Sequence, residues 1–223
     1  MHRELIDRKA PRTERLVWVG LGLTTALLLL GCLLGLLRIQ ARLGKPLPVY
    51  GQVVDFSLTN QNNTKVSLAD LRGHVWVADI IFTRCAGPCL KMSRQMKELQ
   101  QALPAASQAK LISLTTDPGF DSPAVLKTYA QRFGADPARW SFLTGTKKQI
   151  AALAIDSLKL TAIEKKPEER QSPDDLFIHS TIFVLVDKRG VLRGVFETTG
   201  EGTDPQQVKS QLLAGVRRLE HEG

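Results

Sequence analysis

Residues 16–37 run for 22 positions without a charged side chain, and Thr24 and Thr25 are their only polar side chains. At a rise of about 1.5 Å per residue the stretch reaches about 33 Å as a helix, enough to cross a hydrocarbon core of about 30 Å. It predicts one membrane-spanning helix. A cleaved signal peptide carries a shorter apolar run, about 7 to 15 residues, that ends at a small-residue cleavage site. Here Gly31-Cys32-Leu33-Leu34 runs on through Leu36 and Leu37 before Arg38. The same continuation argues against lipoprotein processing ahead of Cys32, which reads as a small apolar residue facing lipid.

Charge is placed around that segment rather than spread along the chain. The sequence holds 30 basic and 22 acidic side chains, a net of +8. Arg3, Arg8, Lys9, Arg12 and Arg15 precede the helix with Glu4, Asp7 and Glu14, and Arg38, Arg42 and Lys45 follow it; together they supply five of the eight net charges. From Pro46 on there is no basic run interleaved with aromatics, which argues against a nucleic-acid footprint. The larger number of basic residues lies on the N-terminal side, so the tail is expected inside. The predicted organisation is a cytoplasmic tail at 1–15, a transmembrane helix at 16–37, a linker at 38–47 and a soluble domain at 48–223. Three acidic residues make the tail a poor mitochondrial transit peptide, so the domain is expected in a periplasm, held to the inner membrane by a single pass. Such a compartment permits disulfides, and of the three cysteines Cys85 and Cys89 lie outside the membrane segment.

The soluble part predicts alternating strands and helices. Val53 to Leu58, the turn Asn60-Gln61-Asn62-Asn63 and Lys65 to Leu68 read as a hairpin. Val75 to Phe82 is β-branched and almost continuously apolar, as a strand buried on both faces should be, and it predicts the central strand. A helix with apolar Leu90, Met92, Met96, Leu99 and Leu103 follows, with Pro88 in its first turn. Downstream come a strand at 110–115, the turn Asp117-Pro118-Gly119, a helix from Ser122-Pro123 to Phe133, a strand at 140–143 and a helix after Gly145. Glu164 to Asp175 is polar enough for an exposed loop. A second hairpin, 182–186 with 191–196, precedes a C-terminal helix that starts at Asp204-Pro205. Composition, at 43% hydrophobic with 17 Gly and 11 Pro, excludes a collagen-like, disordered or disulfide-dense chain. Cysteines placed where the first parallel strand meets its helix make this α/β pattern thioredoxin-like.

Cys85 and Cys89 carry the chemistry. At positions i and i+4 of a helix start their Cα atoms stand about 6 Å apart, close enough for a disulfide or for one soft metal ion. The helix N-terminus and adjacent Arg84 favour thiolates there. Closed structural zinc wants four ligands, and the domain adds only His74, His179 and His221. Two thiolates and an imidazole suit copper, as Cu(I) or Cu(II), and His179, just ahead of the 182–186 strand, is the best third donor. His74 reads as a turn residue and His221 as a cation at a helix C-terminus.

Several blocks then carry a resemblance. Ile81-Phe82-Thr83-Arg84-Cys85-Ala86-Gly87-Pro88-Cys89, Asp117-Pro118-Gly119-Phe120-Asp121, Phe142-Leu143-Thr144-Gly145 and Ile178-His179-Ser180 are similar to the signature blocks of the SCO/SenC family, in family order over about residues 50 to 198. The resemblance implies a thioredoxin-like fold behind one membrane helix. It implies copper held by Cys85, Cys89 and His179, and delivery to the binuclear copper centre of cytochrome c oxidase subunit II. One departure is Leu90, where the family usually has Pro; it removes no donor atom. Asp117 and Asp121 match an acidic turn and read foremost as an Asx-Pro turn with a helix cap. The competing reading is a thiol-disulfide oxidoreductase that reduces the cysteines of that copper site. C-x-x-x-C in place of C-x-x-C, and the lack of Pro from Leu176 to Phe196, favour copper. A peroxide-reducing enzyme would leave His179 without a role.

Overall fold

The computed structural model describes residues 12–43, 46–85, 87–171, 176–200 and 202–222. Residues 1–11 of the predicted tail, 44–45 of the linker, Ala86 of the cysteine motif and 172–175 of the polar stretch lie outside the described residues. The chain divides between Pro46 and Leu47. In the first unit α1 (Arg12–Leu43) outruns the predicted span at both ends, and its apolar stretch, Leu16–Leu36, is long enough to cross a membrane and exposes its side chains.

The second unit builds one eight-stranded sheet. Its elements are β1 (Gly51–Gln52), β2 (Ser57–Asn60), β3 (Lys65–Ser67), α2 (Leu68–Leu71), β4 (Trp76–Ile81), α3 (Pro88–Ala102), β5 (Lys110–Thr115), α4 (Pro123–Phe133), β6 (Trp140–Thr144) and α5 (Lys147–Ala151). After α5 follow a π-helical turn (Ala152–Ser157), β7 (Ala162–Glu164), a 3-10 turn (Pro167–Glu169), β8 (Phe177–His179), β9 (Ile182–Val186), β10 (Val191–Glu197) and α6 (Pro205–His221). The strand order is β1-β10-β9-β4-β5-β6-β2-β3, with β4, β5 and β6 parallel and β9 antiparallel to β4. β4 is the centre, buried at every position. Its alternation splits the core in two. Val77 and Ile81 face Met92, Met96, Tyr129, Phe142, Leu212 and Val216 under α3, α4 and α6. Trp76, Ala78 and Ile80 face Ile150, Leu153, Val184 and Leu192 on the other side. Period-two alternation explains this: neighbouring residues on a strand cannot share a face.

Three local expectations need correction. The first hairpin strand starts at Ser57, because residues 50–53 pair with β10 and the Asp187–Gly190 turn at the opposite edge. Leu68 leaves the hairpin for α2, whose start is set when the Ser67 N–H and hydroxyl donate to the Asp70 carboxylate. The polar stretch is flanked by a small second sheet: β7 pairs β8 with Ala162 opposite His179.

Arg193, 5% exposed, ties the two ends of this unit together. Its guanidinium donates to the Asp187 and Glu222 carboxylates at 3.0 and 3.1 Å and to the carbonyls of Pro48 and Leu47. Removing one partner of a buried ion pair strands the other in a low dielectric. Arg193→Met is therefore expected to lower the unfolding free energy by about 3 kcal/mol in denaturant titration; an unchanged midpoint would contradict this role.

Candidate metal centre

Phe82 leaves β4, the Cys85 N–H closes a turn onto its carbonyl, and α3 begins at Pro88 with Cys89 in its first turn. A proline early in the helix forfeits no intrahelical bond, so the chain can turn this sharply. Leu90, at the position of the family's usual proline, donates its N–H to the Gly87 carbonyl at 3.2 Å and packs on the core under α3. A proline there would lack that donor.

The turn ahead of Cys85 is bolted down by the acidic segment. Asp121, fully buried, accepts hydrogen bonds from the Thr83 N–H and from the hydroxyls of Thr83 and Thr115. Asp117 accepts from Arg84, whose guanidinium lies 4.1 Å over the Phe120 ring. The helix cap is Ser122, whose hydroxyl accepts from the Val125 N–H. Asp117 and Asp121 thus hold the cysteine turn, beyond the simple turn-and-cap expected of them. Arg84 is engaged by Asp117 and Phe120, so the expected help from its charge to the thiolates is replaced by closer groups.

His179 arrives on β8. Its Nε2 lies 3.1 Å from Cys89 Sγ, and its Nδ1 lies 3.1 Å from the Ser180 carbonyl. With Nδ1–H donating to that carbonyl, the Nε2 lone pair is turned toward the sulfurs. Phe82 packs edge-on against the imidazole at 5.8 Å between centroids and against Phe177 at 5.1 Å, which fixes the ring from below. The donor atoms of Cys85, Cys89 and His179 all lie within 4.8 Å of one another, the one such group among the described residues. Both thiols are free in the structure. His74 bonds the Gln108 carbonyl and His221 ends α6, so neither joins the cluster.

The two thiols are electrically unlike. A hydrogen bond from Cys89, then the adjacent His179 and backbone donors at Cys89 and Gly87, pull the Cys85 thiol well below its ordinary range against the opposing effect of burial. Burial, reinforced by Cys85, pushes the Cys89 thiol up. One sulfur is thus ready as a thiolate while its neighbour keeps the proton. Two sulfurs and an imidazole nitrogen form a soft donor set that fits copper better than a closed zinc site.

A residue passed over in the sequence lies in the central strand. Asp79, in the middle of β4, is completely buried on the α3 side, and neither carboxylate oxygen has a hydrogen-bond partner among the described residues. Burial raises its carboxyl to about 7, offset in part by Ser113 and by the field of His179. One acidic residue inside a continuously apolar strand was the signal available in the sequence.

The profile of the SCO1/SenC family matches residues 49–214. A SCO1 protein homologue of Bacillus subtilis is 39% identical over 145 residues, covering 64% of this chain and 72% of that protein. The structure of BsSco, a Sco family member with a disulfide switch, is 32% identical with a TM-score of 0.65, covering 80% of this chain and 100% of that one. Copper-bound ScoI of Bradyrhizobium japonicum, 23% identical over 76% of this chain and 99% of its own, shares the fold with a TM-score of 0.61. The matched stretch takes in the whole of the eight-stranded sheet, the cysteine turn and β8, and the chain therefore belongs to the SCO1/SenC family, the Sco family of cytochrome c oxidase assembly proteins that includes BsSco.

Proposed function

We propose that the protein is a membrane-anchored copper chaperone that holds copper as cargo and passes it to the binuclear copper centre of cytochrome c oxidase subunit II. The observation that carries this reading is the convergence of Cys85, Cys89 and His179, from two separate parts of the fold, within 4.8 Å. The cysteines would hold the ion through sulfur and His179 through Nε2; Ser180 and Phe82 keep that imidazole oriented. A purely structural dithiol needs no imidazole. The arrangement of basic residues supports a cytoplasmic tail at 1–15, a span at 16–37, a linker at 38–47 and the domain from 48 on in the periplasm, anchored to the inner membrane.

The unequal thiols favour a second reading, a thiol-disulfide oxidoreductase that reduces the cysteines of the client copper site. A low-pKa sulfur beside a protonated partner is the arrangement that exchange chemistry uses.

His179→Ala separates the two, since it removes a donor and leaves both thiols. For a chaperone, copper affinity should fall by more than about 100-fold, beyond what loss of an outer-shell partner costs. The thiolate-to-copper absorption should shift and oxidase assembly should fail, while the dithiol still closes with a standard oxidant. Full oxidase activity despite lost copper binding would reject the chaperone in favour of the reductase.

A further inference from the structure

The three donors reach the site from two pieces of structure. Cys85 and Cys89 stand on the turn into α3, and His179 stands on a separate two-stranded ribbon, β7 with β8. A two-stranded ribbon is marginal alone, so its inward face must be held by the rest of the domain. Alternation puts Glu164, Phe177 and His179 on that face and turns Ile163 and Ile178, which pair with each other, outward at 55% and 51% exposed. β8 has apolar anchors: Leu176 is buried in the core and Phe177 packs on Phe82. β7 is held differently, through Glu164, whose carboxylate accepts from Lys147 Nζ at 2.7 Å.

Lys147 is the first residue of α5, just past β6, and Thr146 and Gln149 cap each other's backbone N–H there, which fixes its place against the main sheet. The same lysine also faces the cysteine side. Thr116 shares with Lys147, Glu164 and Phe177 the wall of a cavity of about 140 Å3, and Asp117, next in the chain, accepts from Arg84 beside Cys85. The hydrogen bond and then the charge of Glu164 hold the Lys147 ammonium above its ordinary value, and Asp117 adds to the effect. Lys147 in turn, with a smaller contribution from Arg170, holds the Glu164 carboxyl below its own. Charges therefore alternate from Arg84 through Asp117, Lys147 and Glu164 to Arg170, from the cysteine turn to the ribbon that carries His179.

We propose that Lys147 is a positioning residue for the donor set: its cation, seated between Asp117 and Glu164, ties the His179 ribbon to the cysteine turn and keeps the imidazole over the sulfurs. The inference rests on reading Cys85, Cys89 and His179 as the donors. An exposed ion pair shifts an equilibrium by no more than about 5-fold. That bounds the effect, since a donor in place for only part of the time weakens binding by that fraction.

The test uses the full chain, reduced and in detergent, as the native sequence, Lys147→Met and Lys147→Arg. In the metal-free protein, imidazole nitrogen–proton correlation spectra should show the His179 resonances shifted or exchange-broadened in Lys147→Met, along with the amides of Glu164 and Phe177. Lys147→Arg keeps the charge and the reach, and its spectra should be native. Competition with bathocuproine disulfonate should place the Cu(I) affinity of Lys147→Met about 3- to 5-fold below native and that of Lys147→Arg within about 2-fold of it. Urea midpoints should coincide in all three, because an exposed pair adds little to the fold. Native His179 resonances in Lys147→Met overturn the inference. Equal disturbance in Lys147→Arg overturns it as well, and so does a fall in the Lys147→Met urea midpoint large enough to account for the lost affinity. A native chain that took up no copper would sink the donor reading, while a displaced imidazole in metal-free Lys147→Met would still uphold the role of Lys147.

Discussion

Cys85→Ser, Cys89→Ser is expected to abolish stoichiometric copper binding and the intense sulfur-to-metal charge-transfer bands of the Cu(II) form. The site has two soft donors and one imidazole, so the double change leaves a single nitrogen among two hydroxyls, too few ligands and too hard for Cu(I). Each single Ser variant should lose the bands of a two-thiolate site. Oxidation should mimic the double variant chemically, since a disulfide consumes both thiolates: fully oxidised protein should take up little copper, and dithiothreitol should restore uptake. Equilibrium dialysis against a copper buffer with parallel absorption spectra measures all of this. Tight one-to-one binding by the double variant would move the ligand set elsewhere.

The second large effect is on stability against pH. The Asp79 carboxyl has an ordinary value of 3.8 and stands at about 7 in the fold. Between those values the unfolded chain has given up a proton that the folded protein retains, so folding stability falls as pH rises across this window. One proton is worth about 1.4 kcal/mol per pH unit, so from pH 5 to pH 7 the loss is roughly 2 to 3 kcal/mol. Asp79→Asn removes that dependence: its stability minus that of the native sequence should grow by this amount over the interval. The difference between the two proteins reports on Asp79. Urea unfolding at pH 5, 6, 7 and 8 checks the sign, and parallel curves would show that Asp79 does not titrate there.

What could be read in advance follows from range along the chain. β4, α3, β5, α4 and α6 declare themselves by local periodicity, and Pro88, Ser122 and Asp204 mark helix starts as caps do anywhere. The pairing of residues 50–53 with β10 joins positions about 140 apart, and no local pattern encodes it. The π-helical turn at 152–157 continues the periodicity of α5 and reads as more helix. At the site, soft-donor chemistry and the resemblance together selected Cys85, Cys89 and His179. The inequality of the two thiols, the role of Asp121 as an anchor for Thr83 and Thr115, and the raised carboxyl of Asp79 all depend on burial, which arises only when α3 closes on the sheet.

Cys89 and His179 are 90 residues apart, and the sulfurs stand on the turn into α3 while the imidazole stands on β8 of the small sheet. A nascent or partly translocated chain can offer only a bare dithiol, which captures metal without the third donor. The three-donor site therefore exists only in the finished fold, and its affinity doubles as a report that folding is complete. By the same linkage cargo stabilises its carrier: free copper at a thousand times the dissociation constant would add about 4 kcal/mol to the folded state. A loaded carrier is thus the more robust form, and handing over its metal returns the protein to its more fragile state.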